Sequence, residues 1–173
     1  MSETLSATMA RTRPPTLEFD ALYRTACADV YAYVRSLVGD AATADDVTAQ
    51  AFERAYRKRR SFDARRGTPR QWLFTIARNA SLDELRRRKR AATPLADAGV
   101  KVAAPAASTE ADDRADAVRA AIASLPPRER DLIALKFYAG LSNAEIGATL
   151  GISETNAGTR VHRALSSLRE ACS

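Results

Sequence analysis

LSNAEIGATLGISETNAGTRVHRALSSLR, residues 141–169, carries its own punctuation. Ser142 and Glu145 stand three apart, the spacing at which a serine hydroxyl and a glutamate carboxylate cap one helix start reciprocally. The helix they open is short and carries Ile146 and Leu150. Gly151 makes a turn. Ser153 then caps a longer last helix with an apolar stripe of Val161, Ala164, Leu165 and Leu168. A short capped helix, a tight turn and a longer capped helix make a helix-turn-helix. Ile146, Leu150 and Ile152 fill the space between the two helices. The first helix braces the second, which lies in a major groove. Thr155, Asn156 and Thr159 at its exposed start reach base edges, and Arg160 and Arg163 reach guanines or phosphates. The plainer alternative is a helical hairpin of a bundle. Two caps, a glycine turn and polar residues leading into arginines favour the DNA reading.

Upstream the same helical grammar recurs. Leu132, Ile133, Leu135 and Phe137 form the inner face of a helix that starts at Pro126-Pro127 and stops at Gly140. Before it, a pattern from about Asp113 places Ala117, Val118, Ala121, Ile122 and Leu125 inward. In the first half, Thr16 caps a helix over about Leu17–Val38, with Phe19, Leu22, Tyr23, Ala26, Val30, Val34 and Leu37 at three- and four-residue spacing. Cys27 lies on or beside that stripe, and Gly39 suits its end. Thr43 begins a second helix that runs to Arg60, its inner face Val47, Ala51, Phe52 and Ala55. Asp45 and Asp46 fall in its first turn, where the helix dipole favours acids. Thr68 caps a third helix with Pro69 at its first position. Its stripe is Trp72, Leu73, Ile76, Ala77 and Ala80, and it ends in RRRKR. Good helix formers dominate, while Val and Ile are sparse, so the expected fold is all-α. It consists of two small helical domains joined by a flexible linker. The expected division is a disordered arm over 1–15, a helical domain over 16–90, a linker over 91–112 and the helix-turn-helix domain over 113–173.

Charge is distributed unevenly along the 173 residues. The net charge is +6. Residues 54–90 hold 14 Lys/Arg against 3 Asp/Glu, net +11, whereas 1–53 carry net −4 and 91–173 net −1. One segment therefore holds the excess, as a phosphate-binding surface requires. A solvated helix face is the alternative. The Trp and Phe within the segment favour nucleic acid.

Two distant cysteines (Cys27 and Cys172) and the lone His162 offer no metal-ligand spacing. No carboxylate cluster or phosphate loop suggests catalysis. The expectation is a protein that is not an enzyme and uses no cofactor or metal. It has no apolar segment of bilayer length or secretory leader, which points to a cytoplasmic location and no membrane insertion.

These motifs carry a resemblance. SLPPRERDLIALKFYAGLSNAEIGATLGIS followed by TRVHRAL resembles region four of bacterial RNA polymerase sigma factors. ATADDVTAQAFERAYRKRRSF followed by WLFTIARNASLDELRRRKR resembles region two. The two regions in this order with a short linker are the layout of the extracytoplasmic-function (ECF) sigma factors. The likeness covers about residues 17–90 and 115–170. It implies a protein that binds core RNA polymerase, directs it to specific promoters and melts the minus-ten element. Promoter DNA is then a partner as duplex and as melted strand, and a cognate anti-sigma factor is a further one.

The resemblance also implies residue roles. Asp45, Asp46 and Gln50, with Phe52 beside them, map to the surface that binds the polymerase clamp helices; for the two acids a capping role is the alternative. Arg57, Lys58, Arg59, Arg60, Phe62, Trp72, Arg78, Asn79, Arg86 and Arg87 map to the surface that opens and holds the minus-ten element. Such a surface neutralises phosphates and stacks bases, worth about 1–3 kcal/mol per base. Trp72 equally fits a core position at the start of an amphipathic helix, and Asn79 and Asp83 fit a bracing role. Thr159, Arg160 and Arg163, with Thr155 and Asn156, map to minus-thirty-five recognition. The chain departs from the family at Gly158, where a lysine is usual, and at Ala49-Gln50, where Gln-Glu is frequent.

Two rival readings stay open from sequence. A regulator that uses the same helix-turn-helix leaves the +11 segment unexplained. A nucleic-acid enzyme lacks a catalytic cluster.

Overall fold

A computed structural model describes residues 17–92 and 110–171, with side chains in the second stretch from residue 117. The expected arm over 1–15, the Thr16 cap, most of the 91–112 linker and Cys172 lie outside the described residues. Among those described there are seven α-helices and no strand. They are α1 (Phe19–Val38), α2 (Ala41–Lys58), α3 (Pro69–Ala91), α4 (Glu110–Ser124), α5 (Pro127–Phe137), α6 (Asn143–Leu150) and α7 (Glu154–Ala171), with a 3₁₀ turn (Arg59–Ser61) after α2.

The stripe of α1 is buried at Ala26, Val30, Val34 and Leu37, and Tyr33 joins it. Phe19, Leu22 and Cys27 pack at its edge, while Tyr23 stays 46% exposed. Gly39 ends the helix at φ +89°, its N–H donating to the Arg35 carbonyl. That left-handed conformation is the one glycine adopts without a Cβ clash.

The second helix departs from the sequence reading. Its cap is Asp40, whose carboxylate accepts the Thr43 N–H at 2.8 Å. The helix therefore starts at Ala41, and its first turn contains no acid. Asp45 and Asp46 lie further along and are exposed. They do not cap, because the shorter Asp40-x-x-Thr43 loop already satisfies the first free N–H. The 3₁₀ turn takes over at Arg59, so α2 ends two residues before the expected Arg60. Thr68 and Pro69 open α3 as the sequence predicts, with Thr68 Oγ1 accepting the Gln71 N–H at 3.1 Å.

In the second half, α4 starts at Glu110, earlier than its apolar pattern. Ile122 and Leu125 are buried, but Ala117 and Val118 are exposed. Phe137, expected inside, is 57% exposed. The reason lies in the packing of α5. It is enclosed by α1, α4, α6 and α7 and is buried on every side from Asp131 to Leu135. Phe137 is the last residue beyond that enclosure.

The two halves share one core. Ala26 to Ala80 of α1–α3 are continuous with Leu132, Ala134, Leu135, Ile146, Ala157 and Val161 of α5–α7. A smaller cluster of Ile122, Leu125, Ile133 and Ala164 holds α4, α5 and α7 together. The helix-turn-helix half is thus docked on the first half, with α1 against α5 and α3 against α6.

Candidate nucleic-acid and polymerase interfaces

The helix-turn-helix forms as its sequence dictates. Ser142 Oγ accepts the Glu145 N–H at 3.2 Å, and Glu145 Oε2 accepts the Ser142 N–H at 2.9 Å. Ser153 Oγ accepts the Asn156 N–H at 3.2 Å to start α7. Gly151 turns the chain at φ +70°. Ile146 is fully buried, and Leu150 and Ile152 pack beside it. One glycine that the sequence reading passed over proves decisive. A Cβ on Gly147 would stand 2.7 Å from the Ile152 carbonyl oxygen. Close approach of α6 to the start of α7 therefore depends on a hydrogen at that position. Its sequence signal was a glycine inside a short helix, which costs about 1 kcal/mol against alanine.

Thr155, Asn156, Thr159, Arg160 and Arg163 are all exposed on α7, whereas Ala157, Val161 and Ala164 face inward. Gly158 is half-buried rather than turned fully to solvent. A Cβ there would lie 3.1 Å from the Asn143 amide nitrogen of α6.

The basic segment is less bare than its charge count. Arg54 pairs with Asp83 at 3.2 Å, so Asp83 does brace α3 against α2. Arg57 pairs with Glu53 at 2.6 Å, Arg87 with Glu84 at 2.8 Å and Arg86 with Asp83 at 3.5 Å. Arg88 reaches Asp40 and Glu84 and also donates to Thr43 Oγ1. Arg59 lies over the Tyr56 ring, 3.8 Å from its centroid. Lys58, Arg60, Arg66 and Arg90 are exposed. Phe62 and Trp72 meet edge to face at 5.6 Å, both half-buried, and Trp72 also packs on the core. Phe52 is only 7% exposed and packs on Phe19 and Tyr23. Asp45, Asp46 and Gln50 form an exposed polar face of the same helix.

The site residues therefore fall into separate groups. Arg57–Phe62 and Trp72 are together at the α2–α3 corner. Asn79, Arg86 and Arg87 are exposed further along α3. Arg78 points elsewhere, into the seam between the halves. There Arg78 Nε donates to Asp131 Oδ2 at 2.7 Å, and the Tyr33 hydroxyl donates to Asp131 Oδ1 at 2.8 Å. Burial and the neighbouring carboxylate push the Tyr33 hydroxyl well above its ordinary pKa. Beside them, Arg70 donates to Asp29 at 2.6 Å and to the Tyr138 and Ala139 carbonyls. At the far end of the seam, Thr68 Oγ1 donates to Glu145 Oε1 at 2.7 Å. Glu145 therefore serves two tasks: it caps α6 and ties that helix to the start of α3.

Burial raises the pKa of Glu145, but the Ser142 N–H and the Thr68 hydroxyl outweigh it and hold the carboxyl below its usual range. Asp40 is lowered too, first by the Thr43 N–H and then by the Thr43 hydroxyl and Arg88. Groups with depressed folded pKa values stabilise above their unfolded values, about 3.9 for Asp and 4.3 for Glu. That stability is lost as pH falls through the folded values. Melting temperature is expected to be flat from pH 7 to 5 and to drop below about pH 4. Thermal melts followed by circular dichroism check this, and Glu145→Gln should lose part of the drop.

Comparison with known proteins settles what this arrangement is. Residues 22–91 match the family described as Sigma-70 region 2, and residues 115–168 match Sigma-70, region 4. The ECF RNA polymerase sigma factor SigL of Mycobacterium tuberculosis (strain ATCC 25618 / H37Rv) is 33% identical over 153 residues, covering 86% of this chain and 85% of SigL. The chain belongs to the ECF RNA polymerase sigma factors. The ECF sigma factor SigE of Mycolicibacterium smegmatis is 35% identical over 157 residues, which are 88% of this chain and 60% of SigE. In fold, the chain resembles the sigma factor RpoE in complex with the anti-sigma factor NepR from Bartonella quintana. The TM-score is 0.71 at 24% identity, over 89% of this chain and 96% of RpoE. CnrH in complex with the cytosolic domain of CnrY gives a TM-score of 0.65 at 24% identity, over 88% and 85%. The helices α1–α3 are thus sigma region two, and α5–α7 belong to region four. No helix among the described residues is long and apolar enough to cross a membrane.

Proposed function

We propose that this sigma factor binds core RNA polymerase in the cytoplasm and directs it to promoters through two separate DNA surfaces, without a catalytic step of its own. The observation that carries the reading is the pairing of both sigma regions in one chain with the exposed polar face of α7. Thr155, Asn156 and Thr159 read minus-thirty-five base edges, and Arg160 and Arg163 hold that duplex. Lys58, Arg60 and the half-buried Phe62–Trp72 pair at the α2–α3 corner hold the melted minus-ten strand by charge and stacking. Arg57, Arg59, Asn79, Arg86 and Arg87 extend that surface. Asp45, Asp46 and Gln50 present the polar face that meets the polymerase clamp, while Phe52 supports it from the core. Arg78 reaches DNA only when region four leaves region two, because Asp131 occupies its guanidinium in the docked form.

An anti-sigma partner fits the same reading, since RpoE, similar to this chain in fold, forms a complex with the anti-sigma factor NepR, and CnrH forms one with the cytosolic domain of CnrY. A partner that grips both regions would fix them in one arrangement.

Purified protein added to core polymerase and a supercoiled genomic promoter library should yield transcripts with discrete start sites that need no other sigma factor. DNA binding with no effect on core polymerase would overturn the proposal. Replacing Arg60 and Lys58 together by alanine should lower open-complex formation at least tenfold, measured by permanganate reactivity of unpaired thymines, while leaving binding to core polymerase intact.

A further inference from the structure

A cleft of about 250 Å³ opens on the seam between the two regions. Region two supplies its floor, Leu37 from the end of α1 and Leu82 and Leu85 from α3. Region four supplies its rim, Arg128 and Arg130 from the start of α5. The Arg78–Asp131 pair closes the wall where the regions meet.

The packing of the helices leaves two features of this cleft unused. Leu82 and Leu85 are half-buried and follow Arg78 along one side of α3. Neither belongs to the apolar clusters that hold the helices together. Arg130 donates through Nη2 to the Ala123 and Leu125 carbonyls around the end of α4. Its Nε is buried with no acceptor among the described residues. A buried donor left unpaired is a desolvation cost that an incoming acceptor relieves.

The charge points the same way. Three guanidinium groups line the cleft against one carboxylate, and Asp131 is already held by Arg78 and Tyr33. Arg128 and Arg130 therefore have no counter-ion within it. Burial lowers the pKa of Arg130, yet an arginine keeps its charge at any working pH. An occupant must bring an apolar length for the leucines and a planar anion for the guanidinium forks, which a carboxylate matches in bidentate geometry. At about 30 Å³ per water-sized atom, the cleft has room for roughly eight non-hydrogen atoms, with more at its open side.

We propose that this cleft binds a small amphipathic carboxylate, its aliphatic chain on Leu37, Leu82 and Leu85 and its head on Arg128 and Arg130. Both regions contribute, so the ligand binds the docked form and not the separated regions. It therefore favours docking by mass action and keeps Asp131 on Arg78. That consequence for promoter opening rests on Arg78 meeting DNA as proposed above; the binding itself does not.

The test titrates sodium octanoate into the full chain at neutral pH and constant ionic strength, followed by saturation-transfer NMR. A Kd on the order of 1 mM is expected for a ligand of this size. Octanamide keeps the chain without the charge, and acetate keeps the charge without the chain. Each should bind at least tenfold more weakly. Arg128→Ala and Leu85→Gln should each weaken octanoate about tenfold. Arg24→Ala, an exposed arginine of α1 outside the cleft, should not change it. Donor–acceptor labels on α1 and α7 should report a larger docked fraction when octanoate is present.

Equal affinity for octanoate and octanamide would overturn the site, as would wild-type affinity in both cleft variants. Displacement of octanoate by an equal concentration of inorganic phosphate would make the cleft a general anion site and overturn the amphipathic ligand. Asp131→Ala tests the seam. Undocking should abolish binding, whereas a pocket on one region alone should gain affinity once its only acid is gone. Tighter binding to that variant with its labels moved apart would overturn the two-region site. Should octanoate fail to bind a protein that still drives promoter-specific transcription, this proposal falls and the proposed function stands.

Discussion

Replacing Asp131 by alanine is expected to undock region four from region two. Among the described residues, the carboxylate is the one group bonded both to Tyr33, which is fully buried, and to Arg78, whose side chain is 23% exposed. Removing it leaves a phenol hydroxyl without its acceptor and a guanidinium without its counter-ion. Breaking one side of such a buried pair costs about 3–5 kcal/mol. Tyr33 is fully buried and stacks edge to face on Phe74 at 5.5 Å, so its hydroxyl loses its acceptor away from bulk water. Two measurements check the result. Urea unfolding should lose stability by several kcal/mol, and donor–acceptor labels on α1 and α7 should report a longer distance in the folded state. Asp131→Asn, which keeps an acceptor for Tyr33 and removes the charge, should fall between alanine and wild type. An unchanged distance and stability in the alanine variant would show that the apolar core alone holds the halves together. Undocking also frees Arg78, so the same variant should raise affinity for single-stranded DNA.

The second large effect is expected at Gly147. A methyl group there would meet the Ile152 carbonyl oxygen at 2.7 Å and the Glu154 backbone nitrogen at 3.3 Å. Both are backbone atoms of the turn, and the Gly147 carbonyl itself accepts the Ile152 N–H at 2.9 Å. Neither side can yield without opening the helix-turn-helix. Overpacking of this kind costs about 1–3 kcal/mol, and the shift would tilt α7 away from its groove-binding pose. Gly147→Ala should therefore lose duplex affinity more than tenfold. Two other glycines give a scale. Gly151 needs its positive φ but has open space around it, so Gly151→Ala should cost about 1–2 kcal/mol through backbone strain alone. Gly158→Ala should be nearly neutral. Its new methyl presses at 3.1 Å only on the end of the Asn143 side chain, and the gain in helix propensity is about 1 kcal/mol. Urea titrations of the three variants should rank Gly147 as the most damaging and Gly158 as the least. An equal loss at Gly147 and Gly158 would argue against a close backbone approach.

Local sequence was enough for the elements that carry their own signals. The Ser142–Glu145 box, the Thr68-Pro69 start, Gly39 and Gly151 each satisfy a backbone group within four residues, so no distant partner is needed to read them. The recognition face of α7 was legible for the same reason: Ala157, Val161 and Ala164 repeat at helical spacing and leave Thr155, Asn156, Thr159, Arg160 and Arg163 outside. The start of α2 was misread because two residues compete for the cap. Thr43 could supply one, but Asp40 is placed so that its carboxylate takes the Thr43 N–H instead. Phe137 departs from the reading because the middle of α5, Asp131 to Leu135, is enclosed on all sides, and periodicity loses its meaning in a stretch without a polar face.

What this sequence determines alone is the set of helices, the caps of α3, α6 and α7 and the side of α7 left for DNA, since these depend on spacing and on hydrogen bonds between near neighbours. Tertiary structure decides which arginines are free. Arg57, Arg78, Arg87 and Arg88 count equally in a charge tally, yet carboxylates brought from elsewhere in the fold, or from the next helical turn, occupy them. The Tyr33–Asp131–Arg78 contact joins residues 98 and 53 positions apart. Contacts of that range leave no periodic trace in a single chain, because they are fixed only when the two apolar faces meet and exclude water between them.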